Sequence, residues 1–146
     1  MAAPIEALLT ERYPAVAARV LAPLIDTMAL AREEHGDLDR LLILLTLAQR
    51  AYTEPAVAEA LLTQRATPDL TPRATNILSL AQAIHLPKET VRRKLNELIE
   101  MGCAVRQSRG VAITPEGVRQ LRNVRASLIR MIAAHHEIVE RLKLAA

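Results

Sequence analysis

Apolar residues recur every three or four positions through most of this chain, and the pattern breaks at a few well-marked points. Val16, Val20, Leu24, Thr27 and Ala31 share one helical face in a stretch that Pro4 opens and Gly36 ends. Pro14 and Pro23 are expected to restart or kink that stretch. Asp37 is placed to cap a second helix carrying Leu38, Leu41, Leu42, Ile43, Leu44, Leu45 and Leu47. A helix apolar nearly all round belongs at the centre of a core. Thr53 and Pro55 restart a short helix through Leu62. Two prolines among polar neighbours make Thr67–Pro72 a loop.

Beyond that loop the punctuation is denser. Ala74-Thr75-Asn76-Ile77 has the composition of a short edge strand. Ser79 and Gln82 have capping-box spacing, which would open a helix over Ser79–Ile84. Pro87 forces Leu86 out of helical geometry, so His85-Leu86 reads as a tight turn before a second helix from Pro87 to Met101, stopped at Gly102. At 100° per residue, Val91, Leu95, Leu98 and marginally Ile99 lie on one side of this helix, and Glu89, Arg92, Arg93 and Asn96 on the other. Ala104-Val105-Arg106 and Val111-Ala112-Ile113 are β-prone arms around Gln107-Ser108-Arg109-Gly110, a hairpin with Arg106 and Arg109 on it. Thr114 and Pro115 then start a helix that meets no breaker before about Leu144. Leu121, Val124, Leu128, Met131, His135, Ile138 and Leu142 form a heptad seam along it. The seam suits pairing with a second copy or with the N-terminal helix of the same chain. The pattern therefore predicts an N-terminal helical scaffold over 1–72, a compact core over 73–117 and a C-terminal helix over 118–146.

Composition narrows the chemistry. With 146 residues the chain fits one domain, too short for a DNA reader plus a separate effector domain. There is no Phe or Trp, and Tyr13 and Tyr52 are the only aromatics, which argues against stacking single-stranded nucleic acid. The single Cys103 excludes an internal disulfide and a cysteine-based zinc site, and His135-His136 point about 100° apart on a helix with no third ligand in step. No metal or other cofactor is expected. Cys103, just after Gly102, reads as a small packed residue at the entry to the hairpin, while basic neighbours that would favour a thiolate leave a redox signal open. No nucleophile elbow, phosphate loop or partnered carboxylate pair is present, so no enzyme activity is expected. The longest apolar run, Leu41–Leu45, is far shorter than the ~20 residues of a membrane span. With no basic-then-apolar leader pattern, a cytoplasmic protein with no membrane partner is expected.

Charge is divided along the chain. Arg73–Arg130 holds 11 Lys/Arg against 4 Asp/Glu, a net of +7, whereas residues 1–72 hold 6 against 10, a net of −4. A basic half beside an acidic half is the footprint of a polyanion-binding face. Arginine forks, an amide and a carboxylate on one exposed helix side match guanine, adenine and cytosine edges in a major groove. Lys88 and Thr90 suit phosphate contact, as do groups on the basic hairpin.

The run S-L-A-Q-A-I-H-L-P-K-E-T-V-R-R-K-L-N-E-L-I-E-M-G-C-A-V-R, with R-G-V-A-I-T-P-E-G after it, resembles the DNA-binding core of bacterial winged-helix regulators of the MarR and related types. The resemblance covers Ala74–Gly117 and is most specific at P-x-E-T-V-R-R, at L-x-x-x-G ending on Gly102, and at T-P-E-G. It implies a mainly α winged helix-turn-helix fold with long N- and C-terminal dimerisation helices. Ser79, Lys88, Glu89, Thr90, Arg92, Arg93 and Asn96 would then meet double-stranded DNA from the helix-turn-helix, and Arg106, Gln107 and Arg109 from the wing. The seam residues would join two copies, giving a homodimer on a roughly palindromic operator. Repression by steric occupation of that operator is the implied mechanism, with an unidentified small-molecule effector as a possible partner. A winged helix used for protein assembly, or a nucleoid-type protein with little base preference, are the alternatives. The short tip, Gln107–Gly110, argues against deep minor-groove insertion.

Overall fold

A computed structural model describes residues 4–65 and 72–146, so all of the Thr67–Pro72 loop except Pro72 lies outside the described residues. Among the described residues the chain is mainly helical. The order is α1 (Pro4–His35), α2 (Leu38–Tyr52), α3 (Pro55–Leu62), α4 (Ile77–Ile84), α5 (Lys88–Glu100), β1 (Ala104–Gln107), β2 (Gly110–Ile113), α6 (Pro115–Gln120) and α7 (Arg122–Ala145). Contacts divide these elements into two compact units, His35–Arg122 on the one hand and α1 through Glu34 with Asn123–Ala146 on the other. The boundary expected near residue 72 is therefore absent. α2 and α3 belong with the residues that follow them, because α2 supplies the centre against which α3, α4, α5 and β2 pack.

In the His35–Arg122 unit, Gly36 takes φ +70 and ends α1, and Asp37 caps α2 by accepting from Arg40 N at 3.0 Å. Ile43, Leu44 and Leu47 of α2 are fully buried, together with Leu80, Leu95, Leu98 and Ile113. Leu38 and Leu45 remain exposed, so α2 is central without being covered on every side. β1 and β2 pair antiparallel with Ala104 opposite Ile113 and Gln107 opposite Gly110. The edge strand expected over Ala74–Ile77 is a single bridge: Thr75 and Val111 exchange N–H···O bonds of 2.8 and 3.0 Å. It goes no further because Asn76 turns the chain into α4, its Oδ1 accepting from Ser79 N at 2.7 Å. Asn76 is thus the cap, and Ser79 sits in the first turn rather than opening the helix.

Two glycines permit close backbone approach. A Cβ on Gly110 would stand 2.3 Å from the Thr75 carbonyl oxygen, and one on Gly117 would stand 2.3 Å from that of Cys103. The first lets residue 75 lie against β2, and the second lets α6 press on the entry to β1.

The long helix expected after Thr114 is interrupted. Thr114 caps α6 through Gly117 N at 3.1 Å, and Leu121 closes it with a 3₁₀-type bond to the Val118 carbonyl at 3.2 Å. Both Val118 and Leu121 are buried, and the break falls where the sequence carries no proline or glycine.

The second unit is a pair of antiparallel helices. Asn123 Nδ2 donates to Glu34 at 2.6 Å, Thr27 and Ser127 share a hydroxyl bond of 2.7 Å, and His135 Nε2 donates to the Val20 carbonyl at 2.9 Å. These three bonds descend one helix as they climb the other and set the register. α1 continues through Pro14 and Pro23 without ending at either. Val124 and Ile138 are buried on the face of α7 that carries Ser127 and His135, while Met131 and Leu142 are half-buried and Leu128 is exposed. Most of the heptad seam therefore serves the pairing of α7 with α1 in the same chain, and Leu121 lies outside this unit.

By length and composition alone α1 could cross a membrane. Arg12, Arg19, Asp26 and Glu33 recur every seven residues along it as one exposed polar edge. A different edge leaves Leu21, Leu24, Ile25 and Met28 exposed, and α7 leaves Leu128, Ile129 and Ile132 exposed. Stepping 100° per residue from the bonded faces puts both stripes on the same side of the antiparallel pair, and the Val20–His135 and Thr27–Ser127 bonds put them at the same height. Together they form one continuous apolar face.

Candidate nucleic-acid interface

α4 and α5 are joined by one residue in the left-handed conformation, His85 (φ 57, ψ 41), followed by Leu86 and Pro87. Leu86 N donates to the Ala81 carbonyl at 3.2 Å, closing the end of α4. α5 then buries Val91, Leu95 and Leu98 almost completely, each at most 1% exposed. Burying that stripe turns Lys88, Glu89, Arg92, Arg93, Asn96 and Glu100 outward. Thr90, on the flank, is half-buried, as is Ser79 in α4.

The hairpin meets this outward side. Gln107 and Gly110 pair across a two-residue tip, Ser108-Arg109, and Arg106 and Arg109 are exposed, with Gln107 half-buried. An Arg106 Nη2–H donates to Asn96 Oδ1, which ties β1 to the exposed side of α5. Eight of the ten residues expected to meet DNA therefore lie on one surface made of α5 and the hairpin. Ser79 and Thr90 stand at its margin.

That surface is cationic but not uniformly so. Lys88, Arg92, Arg93, Arg106 and Arg109 share the surface with Glu89 and Glu100. A shallow concavity of about 390 Å³ is lined by Glu89, Arg92, Arg93, Asn96, Glu97 and Glu100, three carboxylates beside two guanidiniums. Glu89 accepts from Arg92 Nη1 at 2.6 Å in an exposed ion pair. Such surface pairs contribute ~0–1 kcal/mol, so a phosphate or a guanine edge can displace Glu89 at little cost. Asn96 spends one acceptor position on Arg106 and keeps Nδ2 to donate. Arg93 projects from the same turn as Arg92 and supplies a second fork.

Lys94, Arg40 and Glu97, which periodicity gives no role, join Asp37 beside this surface. Lys94 pairs with Asp37, and Arg40 Nη1 donates to Glu97 at 3.1 Å. The Lys94 ammonium and the Arg40 amide bonded to its carboxylate hold the Asp37 carboxyl below its ordinary range. Periodicity places charged residues on a helix but not their partners 57 positions away, which is why these pairs were invisible beforehand.

Cys103 is 1% exposed. Burial pushes its thiol up, Glu116 adds to the rise, and Arg40 offsets only part of it. A buried, protonated thiol is not the thiolate that oxidant sensing uses, and the burial agrees with Cys103 as a small packed residue. Among the described residues no group of three or more His, Cys, Asp or Glu could hold a metal ion. No family model, curated protein or solved structure matches the chain.

Proposed function

We propose that this chain is a winged helix-turn-helix protein of the MarR-like kind that binds double-stranded DNA in the cytoplasm as a homodimer and regulates transcription. The observation that carries the reading is the junction of α5 with the hairpin. One helix buries a strict apolar stripe, turns two arginines and an asparagine outward, and is tied through Asn96–Arg106 to a hairpin with a basic tip. α5 would enter the major groove with Arg92, Arg93 and Asn96 toward base edges, and Lys88, Arg106 and Arg109 would meet phosphates. Glu89 would release Arg92 and accept from a cytosine amine. Repression follows by occupation of the operator.

The second copy would sit on the apolar face of the α1–α7 pair. Ile25, Ile129 and Ile132 are 60%, 59% and 58% exposed in the whole chain, so nothing in the described residues covers them. A face that lies on one side of a two-helix pair is suited to an isologous contact, in which each copy covers the other with the same residues. This differs from the heptad seam, most of which is used within the chain.

Substitution separates base reading from phosphate contact. Arg92→Ala should weaken binding to a cognate duplex by ~1–3 kcal/mol and relax base preference, whereas Arg109→Ala should weaken all duplexes about equally and lower the salt slope by ~1. Wild-type binding by both variants would remove α5 and the hairpin from the interface.

A further inference from the structure

α5 is held to the core by Val91, Leu95 and Leu98, but apolar contact is non-directional and leaves rotation and register loosely set. Its N-terminal residue before the helix, Pro87, offers no side-chain cap. Directional side-chain bonds to α5 come from Arg106 on its outward side and, on the side toward the core, from the start of α2. Asp37 and Arg40, three residues apart, face Lys94 and Glu97, also three residues apart.

The two pairs have opposite polarity. Sliding α5 by one turn in one direction would set Lys94 against Arg40, and in the other direction Glu97 against Asp37. Both errors place like charges together, so the arrangement favours one register and opposes its neighbours. The α2 side is itself fixed: Asp37 Oδ1 is occupied by the Arg40 amide, leaving Oδ2 for Lys94, and Arg40 Nη2 donates to the His35 carbonyl at 2.9 Å. The Lys94 side chain is only 14% exposed, so its charge is poorly placed to reach a phosphate. Lys94 and Glu97 each follow a residue of the outward face, Arg93 and Asn96, along the same helix.

We propose that the crossed pairs Asp37–Lys94 and Arg40–Glu97 form the positioning device that sets the rotation and register of α5, and thereby decides which base edges Arg92, Arg93 and Asn96 reach. This rests on the DNA-binding reading. The four residues do not touch DNA, and their effect is on discrimination between sequences. Arg40 also pairs with Glu97, one of the three carboxylates that line the concavity beside Arg92 and Arg93.

The test compares affinity for the duplex that the wild-type chain selects from a random pool with affinity for a scrambled duplex of equal length. Asp37→Asn keeps the helix cap, since Asn caps as well as Asp, and removes the charge that Lys94 faces. It makes the protein more positive, so charge alone would tighten binding to all DNA. The expected result is the reverse for discrimination: the ratio of the two affinities falls about tenfold in Asp37→Asn and in Lys94→Met, and the double variant is no worse than either. Lys94→Arg retains the wild-type ratio. An unchanged ratio in both single variants overturns the proposal, as does a ratio that falls only in step with the folded fraction seen by circular dichroism. If the wild-type chain selects no motif, the DNA-binding reading itself fails and the role assigned here fails with it.

Discussion

The two units of this protein treat their apolar residues in opposite ways. The His35–Arg122 unit buries Ile43, Leu44, Leu47, Leu80, Leu95 and Leu98 to 1% exposure or less around a central helix. The α1–α7 pair has few residues buried to that degree and leaves seven large apolar side chains in the open on one side. Two helices by themselves cannot enclose a core, because each covers only one face of the other. The difference shows where the chain closes its own core and where it leaves apolar side chains exposed.

Substitutions on the two sides should therefore fail in different currencies. Leu95→Ala opens a cavity in a closed core and should cost ~2–5 kcal/mol in chemical denaturation. Ile129→Ala, on the open face, should leave the unfolding of the monomer within ~0.5 kcal/mol of wild type. Equal losses at the two positions would show that the open face is covered within the chain after all.

Ile25→Glu probes the same contrast from the partner's side. A carboxylate at the centre of an isologous apolar contact is placed there twice, and the dimer should weaken by about 2–4 kcal/mol, a rise of roughly 30- to 1,000-fold in its dissociation constant by sedimentation. A monomeric wild-type chain, or a dimer indifferent to this change, would remove the face from the account.

Within the closed unit, Gly117→Ala should cost ~1–3 kcal/mol, because the added methyl meets the Cys103 carbonyl and α6 must shift. Thermal unfolding reads this directly. A neutral result would mean that α6 moves freely against β1.

The smallest effect concerns pH. Asp37 has its carboxyl held below the ordinary value of 3.8, chiefly by Lys94. Its contribution is complete above that value and disappears as pH falls through the lower folded-state value. The stability difference between wild type and Asp37→Asn in urea should accordingly be constant from pH 7 to about pH 5 and shrink toward zero in stronger acid. A difference that grows in acid would contradict the ion pair.

Much of the closed unit was legible in the sequence because its signals are local. Asp37 as a cap, Gly36 and Gly102 as stops, Pro87 before α5 and the Val91–Leu95–Leu98 stripe each depend on residues within one or two turns. The hairpin was legible for the same reason. What escaped was non-local. Ser79 has capping-box spacing, yet Asn76 stands three residues earlier and takes the role once Thr75 has paired with Val111. The break at Leu121 carries no proline or glycine to announce it. Of the seam residues, Val124, His135 and Ile138 lie on the face of α7 toward α1, whereas Leu121 precedes α7 and Leu128 is exposed. Periodicity does not say with which helix a seam pairs, and bonds from Val20 and Thr27 assign it to α1. Of the candidate site, the residue types were visible and their connection through Asn96–Arg106 was not.

The measurement that bears most directly on the whole account is selection of bound sequences from random duplex DNA at low and at moderate salt. The account predicts a two-fold symmetric motif that survives the higher salt, with half-sites about one helical turn apart. Binding without a motif that vanishes as salt rises would contradict sequence-specific regulation and leave only phosphate contact. No binding at all would remove DNA from the account and leave a winged helix built for protein assembly.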